Sequence, residues 1–162
     1  MRGFALFVAG SLVGLGLSAG AQNLSPNHGV VGLSFVGVNV PDLDKAVEYY
    51  TKTLGFPEAY RQFTAAGDLQ FVIVQVSKDT FIQLWPASER RPPGIEHLAL
   101  QVENLPAVAA MFKQRGATVG DITFNKTTRM DHANLTDPNG TRMELIELPP
   151  ESPLGQAMAR WR

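Results

Sequence analysis

The readable part of the chain opens with a period-two pattern. Val36, Val38 and Val40 fall on one face and Phe35, Gly37 and Asn39 on the other, which predicts a β-strand. Pro41-Asp42 breaks the pattern. Asp42 is a good N-cap, and Leu43, Ala46, Val47, Tyr50 and Leu54 follow at helical spacing, with Tyr50 expected in the core. Gly55 is predicted to end that helix. Strand-like runs follow over 58–64, 70–77 and 80–85. The order then returns: a strand at 95–102, N-cap Asn104, a helix at 105–115 with Pro106 in its first turn, terminator Gly116, and strands near 118–124, 130–136 and 142–148. Asp137-Pro138-Asn139-Gly140 is a hairpin signal.

This return is a repeat. Gly32-Leu33-Ser34-Phe35-Val36 lies over Gly94-Ile95-Glu96-His97-Leu98, and Tyr50 lies over Phe112, at an offset of 62. The offset then slips to 61, so that Gly55 meets Gly116 and Gln83 meets Glu144. Two copies of β-α-β-β-β, spanning 31–86 and 94–149 and joined by a short Pro-rich connector, define an α+β pair of tandem modules.

The two strand faces differ in chemistry. One is aliphatic (Val72, Val74, Val76, Leu98, Leu100, Val102) and must lie under the helices. The other mixes aromatic and polar side chains: Phe35, Phe71, Phe81 and Trp85 with Gln83, His97, Gln101, Arg142 and Glu144. On the 130–136 strand Ala133 and Leu135 belong under a helix, which leaves His132 on the mixed face. Polar groups among aromatics on a concave face predict a small-molecule cavity. The aromatics could stack on a planar ligand, and Arg61, Lys126 and Arg142 are candidate anchors for an anionic one.

Composition narrows the function. Of 162 residues, 44% are apolar and 18% charged, with a net charge of −1, so no basic excess exists to meet nucleic-acid phosphates. No cysteine is present, which excludes disulfides, thiolate metal sites and a cysteine nucleophile. A histidine-based site must draw on His28, His97 or His132, and His28 precedes the repeat in a stretch expected to be flexible. Residues 1–21 pair Arg2 with an apolar run from Phe4 to Leu17 and end in Ala19-Gly20-Ala21, the pattern of a secretory signal cleaved before Gln22. Its removal leaves a mature chain of charge −2, a linker over 22–30, a periplasmic or secreted location and no stable membrane insertion. The tail over 150–162 is expected to carry a short amphipathic helix anchored by Trp161.

The strings VGVNVPDLDKAVEYYTKTLGF, HLALQVENL and LTDPNGTRMELIEL resemble the vicinal oxygen chelate superfamily of glyoxalases, bleomycin-resistance proteins and extradiol dioxygenases. The resemblance covers about 31–149 and implies a pseudo-symmetric half-barrel cavity, commonly in homodimers that pair modules within or between chains. It also implies four metal-ligand positions, here Phe35, Gln83, His97 and Glu144. Gln83, His97 and Glu144 offer N and O donors for Zn, Mn, Ni or Fe. Phe35 cannot bind a metal, and Gln83 is a weaker ligand than the usual glutamate. The implied function is a metal-dependent lyase or isomerase in which Glu144 shuttles a proton, with His132 as a further ligand or base. A metal-free binding module and an extradiol-type oxygenase are the alternatives.

Overall fold

A computed structural model describes residues 27–162. The expected signal segment and most of the linker lie outside the described residues.

The elements run β1 (Val30–Val40), α1 (Leu43–Glu48) continued by a π-helical turn (Tyr49–Thr53), β2 (Glu58–Phe63), β3 (Leu69–Gln75), β4 (Phe81–Pro86), β5 (Gly94–Val102), α2 (Leu105–Gln114), β6 (Thr118–Val119), β7 (Thr123–Asn125), β8 (Met130–Thr136), β9 (Arg142–Ile146) and α3 (Pro153–Arg160). Both repeat helices start by the same device: Asp42 Oδ1 accepts from Lys45 N at 3.0 Å, and Asn104 Oδ1 accepts from Ala107 N at 2.9 Å. Asp137 organises the expected turn by accepting from Asn139 N and Thr141 N, both at 2.8 Å. These backbone donors hold its carboxyl below the usual range.

The nine strands of the described residues form one curled sheet in the order β2-β3-β4-β1-β5-β9-β8-β6, with β7 also on β8. The halves are stitched within one chain by antiparallel pairing of β1 with β5. The registers repeat as the sequence does. Gly37 pairs with Gln83 in the first copy and Ala99 with Glu144 in the second. Across the seam, Gly37 faces His97 and Phe35 faces Ala99. Each seam strand also carries a bulge at the matched position. Ser34 is the unpaired residue between Leu33 and Phe35, and Glu96 the one between Ile95 and His97.

Several expectations change. The run at 118–124 is two short strands, because after a last bond from Gly120 N to Asn134 O the pairing with β8 lapses over Asp121-Ile122. The first helix is six α-helical residues and a π turn with no buried residue, so Tyr50 is half-buried rather than core. The described end of the stretch before the repeat, from His28 to Val30, is tied down. Val30 already belongs to β1, Glu103 N donates to Gly29 O at 2.9 Å, and His28 Nδ1 lies 3.3 Å from Arg115 Nη2.

The tail does form a helix, but Leu154 and Ala157 anchor it, while Trp161 lies past its end and is 38% exposed. Those anchors pack with Phe35, Phe71, Phe81 and Ile146, so α3 fills part of the concave face. Gly155 permits the tight turn into this helix, since a Cβ there would sit 2.3 Å from Pro149 O. Among the described residues no helix is long and apolar enough to cross a membrane.

Candidate active site

What α3 leaves open is a cavity of about 340 Å3 lined by both halves of the sheet. Its centre is built on the row Gln83, Gly37, His97, Arg142, running through β4, β1, β5 and β9. The imidazole of His97 lies directly over Gly37. A Cβ at 37 would fall 2.2 Å from its Cε1 and 2.4 Å from its Nδ1, so only glycine leaves room for the ring. Phe35 meets His97 edge-on, with centroids 5.6 Å apart and planes at 87°.

His97 is 2% exposed, and neither ring nitrogen finds a hydrogen-bond partner among the described residues. Carboxylates stand near both without hydrogen-bonding geometry: Glu96 Oε2 at 3.4 Å from Nδ1 and Glu144 Oε1 at 3.8 Å from Nε2. Burial pushes the imidazole below its ordinary value of 6.5 and outweighs the pull of Glu144. The ring is therefore neutral near pH 7, with one nitrogen free to accept and the other to donate.

Arg142 closes the cluster. Its Nη1 donates to Glu144 Oε1 at 2.9 Å and to Asn134 Oδ1 at 3.4 Å, and its Nη2 donates to Glu96 Oε1 at 3.4 Å. One guanidinium thus holds two carboxylates from different strands. The Glu96 bulge makes this geometry. In a regular strand Glu96 would point away from His97, and the extra residue turns both into the same hollow.

The far wall is aromatic. Phe71 and Trp85 lie 4.5 Å apart at 39°, and the Arg91 guanidinium sits 4.7 Å over the Trp85 ring. Two polar groups here have no partner among the described residues: the indole N–H of Trp85 and the hydroxyl of Thr128, which is 7% exposed. Buried donors of this kind are normally satisfied, so both are available to a ligand oxygen.

The structure therefore gathers Phe35, Phe71, Gln83, Trp85, His97, His132, Arg142 and Glu144 around one cavity. It removes two expected residues from it. Phe81 is fully buried in the cluster that α3 seals, and Gln101 lies two residues beyond Ala99 on β5, paired with Gly32 and Ile146. Arg61 turns outward to Glu58 in a two-bond pair at 2.9 and 2.7 Å, and Lys126 is exposed. The sequence reading missed Glu96, Arg91 and Thr128. Only the repeat pattern around Glu96 hinted at its place, as the partner of Ser34.

The divalent ion implied by the resemblance fits these residues poorly. Phe35 places a benzyl ring at one of four matched corners. Arg142 already lies on Glu144, the strongest of the proposed ligands. Among the described residues no three His, Asp or Glu side chains are gathered to hold a metal ion. His132 does not complete a set, since its Nε2 lies 3.2 Å from Thr123 Oγ1. The two-histidine, one-carboxylate set of an extradiol oxygenase is likewise not assembled.

The sheet, its internal two-fold repeat and the inward cluster define a class. The chain belongs to the Glyoxalase/Bleomycin resistance protein/Dioxygenase superfamily, whose family model matches residues 32–145. Its relatives include a 2-epi-5-epi-valiolone epimerase from an Actinomyces species, 30% identical over 156 residues, which cover 79% of this chain and 85% of that protein. Among solved structures, methylmalonyl-CoA epimerase from Mycobacterium tuberculosis superposes with a TM-score of 0.67 at 25% identity, covering 81% of this chain and 97% of that one. The Streptomyces coelicolor methylmalonyl-CoA epimerase bound to 2-nitronate-propionyl-CoA shares the fold, with a TM-score of 0.63 at 18% identity over 76% of this chain and 98% of that one.

Proposed function

We propose that this chain is a small-molecule isomerase of the epimerase type, which moves a proton at a carbon next to a carbonyl. The observation that carries the reading is the clamped pair of carboxylates, Glu96 and Glu144, flanking a buried neutral His97 in a closed-ended hollow. Glu144 takes the proton from carbon, and the electron pair moves onto the carbonyl oxygen to give an enolate. A proton then returns to the opposite face of the carbon, so no atom is gained or lost. His132, on the strand beside Glu144, is the second proton carrier. The epimerase relatives support the reaction class.

The cavity supports a compact, oxygen-rich carbonyl compound as substrate. About 340 Å3 lies at the small end of ligand sites. Gln62, Gln70, Asn125 and Thr128 supply polar contacts for hydroxyl groups. A valiolone-like polyol ketone matches this lining better than a thioester with a long nucleotide tail.

The test is incubation in D2O with 2-epi-5-epi-valiolone and with methylmalonyl-CoA, following loss of the α-hydrogen signal by NMR. Exchange with one of them, lowered about 100-fold or more in Glu144→Gln, supports the proposal. His132→Asn is expected to slow inversion more than exchange. The stacked Phe71–Trp85 wall favours a second reading, metal-free sequestration of a small molecule. Thermal stabilisation by these compounds with no exchange in any of them would establish that reading instead.

The proposal extends to location and assembly. The signal-like leader supports action outside the cytoplasm, checked by N-terminal sequencing of the exported fraction for a start at Gln22. The matched positions Leu33 and Ile95 on the seam are 42% and 75% exposed, which supports a homodimer. Analytical ultracentrifugation of the mature chain tests it.

A further inference from the structure

We infer that Arg142 is a built-in cation that takes the charge-balancing place of a divalent ion and makes this site refractory to metals. The inference concerns the same cavity as the proposed isomerase, but it does not depend on any reaction.

Two carboxylates, Glu96 and Glu144, both partly buried, point into one hollow beside a 2%-exposed imidazole. Like charges so placed need a positive partner. A metal ion would need the Glu144 oxygens and His97 Nε2 to converge on one point. Instead the Glu144 oxygen nearest His97, Oε1, accepts from Arg142 Nη1 at 2.9 Å, and the other guanidinium nitrogen reaches Glu96 Oε1 at 3.4 Å. The guanidinium thus bridges the pair and offsets one of its two negative charges from within the chain. A dication entering the same space would meet a fixed positive charge, and it would find one of its four corners occupied by the Phe35 ring.

The position of Arg142 is set by the fold rather than by a flexible reach. Its backbone pairs with His97 in the β5–β9 register, in the same row as Gly37 and Gln83. Glu144 is two residues further along the same strand, on the same face. Glu96 joins only because of the bulge before His97. Arg142 has five N–H donors, of which three are engaged by Glu144, Asn134 and Glu96. The other two are available to a ligand oxygen in the cavity that Arg142 lines, where a fixed positive charge would stabilise negative charge developing on that oxygen.

The experiment measures metal uptake, not turnover. The untagged mature chain is stripped with EDTA and dialysed against Ni2+, Co2+, Zn2+ and Mn2+. Bound metal is then counted by elemental analysis, and affinity is measured by calorimetry. Wild type is expected to hold far less than one ion per chain. Phe35→His alone is expected to gain less than about 10-fold in affinity, because Arg142 still lies on Glu144. Phe35→His with Arg142→Gln is expected to bind one ion at least about 100-fold more tightly than wild type, and His97→Ala in that background to abolish it.

Stoichiometric binding by wild type that His97→Ala removes would overturn the inference. So would binding by Phe35→His as tight as by the double variant, since Arg142 would then be irrelevant. The wild-type measurement needs no variant to fold, and Arg142→Lys, which keeps the charge, is expected to stay as metal-poor as wild type. A failed exchange assay with metal-free wild type would sink the isomerase and leave this inference standing.

Discussion

The two copies of the repeat share a register and have divided the labour. In the second copy α2 buries Leu105, Val108 and Ala109 against Val102, Ala133 and Leu145. In the first, the α1 turn-and-π segment buries no residue at all. The same asymmetry appears on the concave face. The second copy presents His97, Arg142, Glu144 and the bulged Glu96, while the matched positions of the first hold Phe35, Phe81, Gln83 and Ser34, of which Phe35, Phe81 and Ser34 are buried at 3%, 0% and 0% exposure. Even the residue facing each of the paired side chains is scaled: Gly37 under the imidazole, Ala99 under the phenyl ring. A symmetric frame can therefore carry a one-sided site, with one half supplying its histidines and carboxylates and the other most of its aromatic wall.

The two helices differ most in what they bury. Leu105 and Leu43 are the matched first residues of the two helices, one fully buried and one half-buried. Leu105→Ala is expected to cost about 2–5 kcal/mol in urea unfolding, as core truncations do. Leu43→Ala is expected to cost no more than about 1 kcal/mol. Equal losses would mean that the two halves are packed alike.

The paired small residues give the next contrast. Gly37→Ala is expected to cost about 1–3 kcal/mol, because its Cβ overlaps the His97 ring, and to lower hydrogen exchange on substrate about 100-fold by displacing the imidazole. Ala99→Gly, at the matched position, removes only a methyl group and is expected to cost about 1 kcal/mol and to leave the imidazole in place. A folded, fully active Gly37→Ala protein would show that the ring position does not matter.

Acid titration offers the smallest effect. Burial lowers the native His97 value below 6.5, so the unfolded chain takes up this proton first as pH falls. Stability held above pH 6.5 is therefore lost on acidification, down to the native value, where both states are protonated. His97→Gln lacks this contribution. The melting temperature of wild type is expected to fall more steeply than that of the variant between about pH 7 and pH 5. Parallel curves would mean that the ring is not held neutral.

Much of this was legible because two periodicities and one repeat determine it. Alternation placed Phe71, Trp85, His132 and Glu144 on a common face, and the Asp42 and Asn104 caps located both helix starts. The repeat matched Phe35 with His97 and Gln83 with Glu144 before any coordinates, and the strand registers agree. What escaped has a physical cause. A bulge shifts facing by one residue without changing composition, so Glu96 reads as an outward side chain. An ion pair between Arg142 and Glu144 at i,i+2 is ordinary in a strand, and nothing in the string shows that it competes with a ligand. Phe81 and Gln101 have the right parity but sit too far along their strands, where α3 or the sheet end takes the space. Tyr50 has helical spacing, but α1 turns into a π segment and leaves no tight interface beneath it.

The docking of α3 carries a consequence for how the cavity is completed. Leu154 and Ala157 share one core cluster with Phe35, Phe71 and Ile146, which line the cavity. That helix lies outside both copies of the repeat. The duplicated sheet therefore does not define the hollow alone, and its floor depends on a segment beyond Pro149 that belongs to neither half.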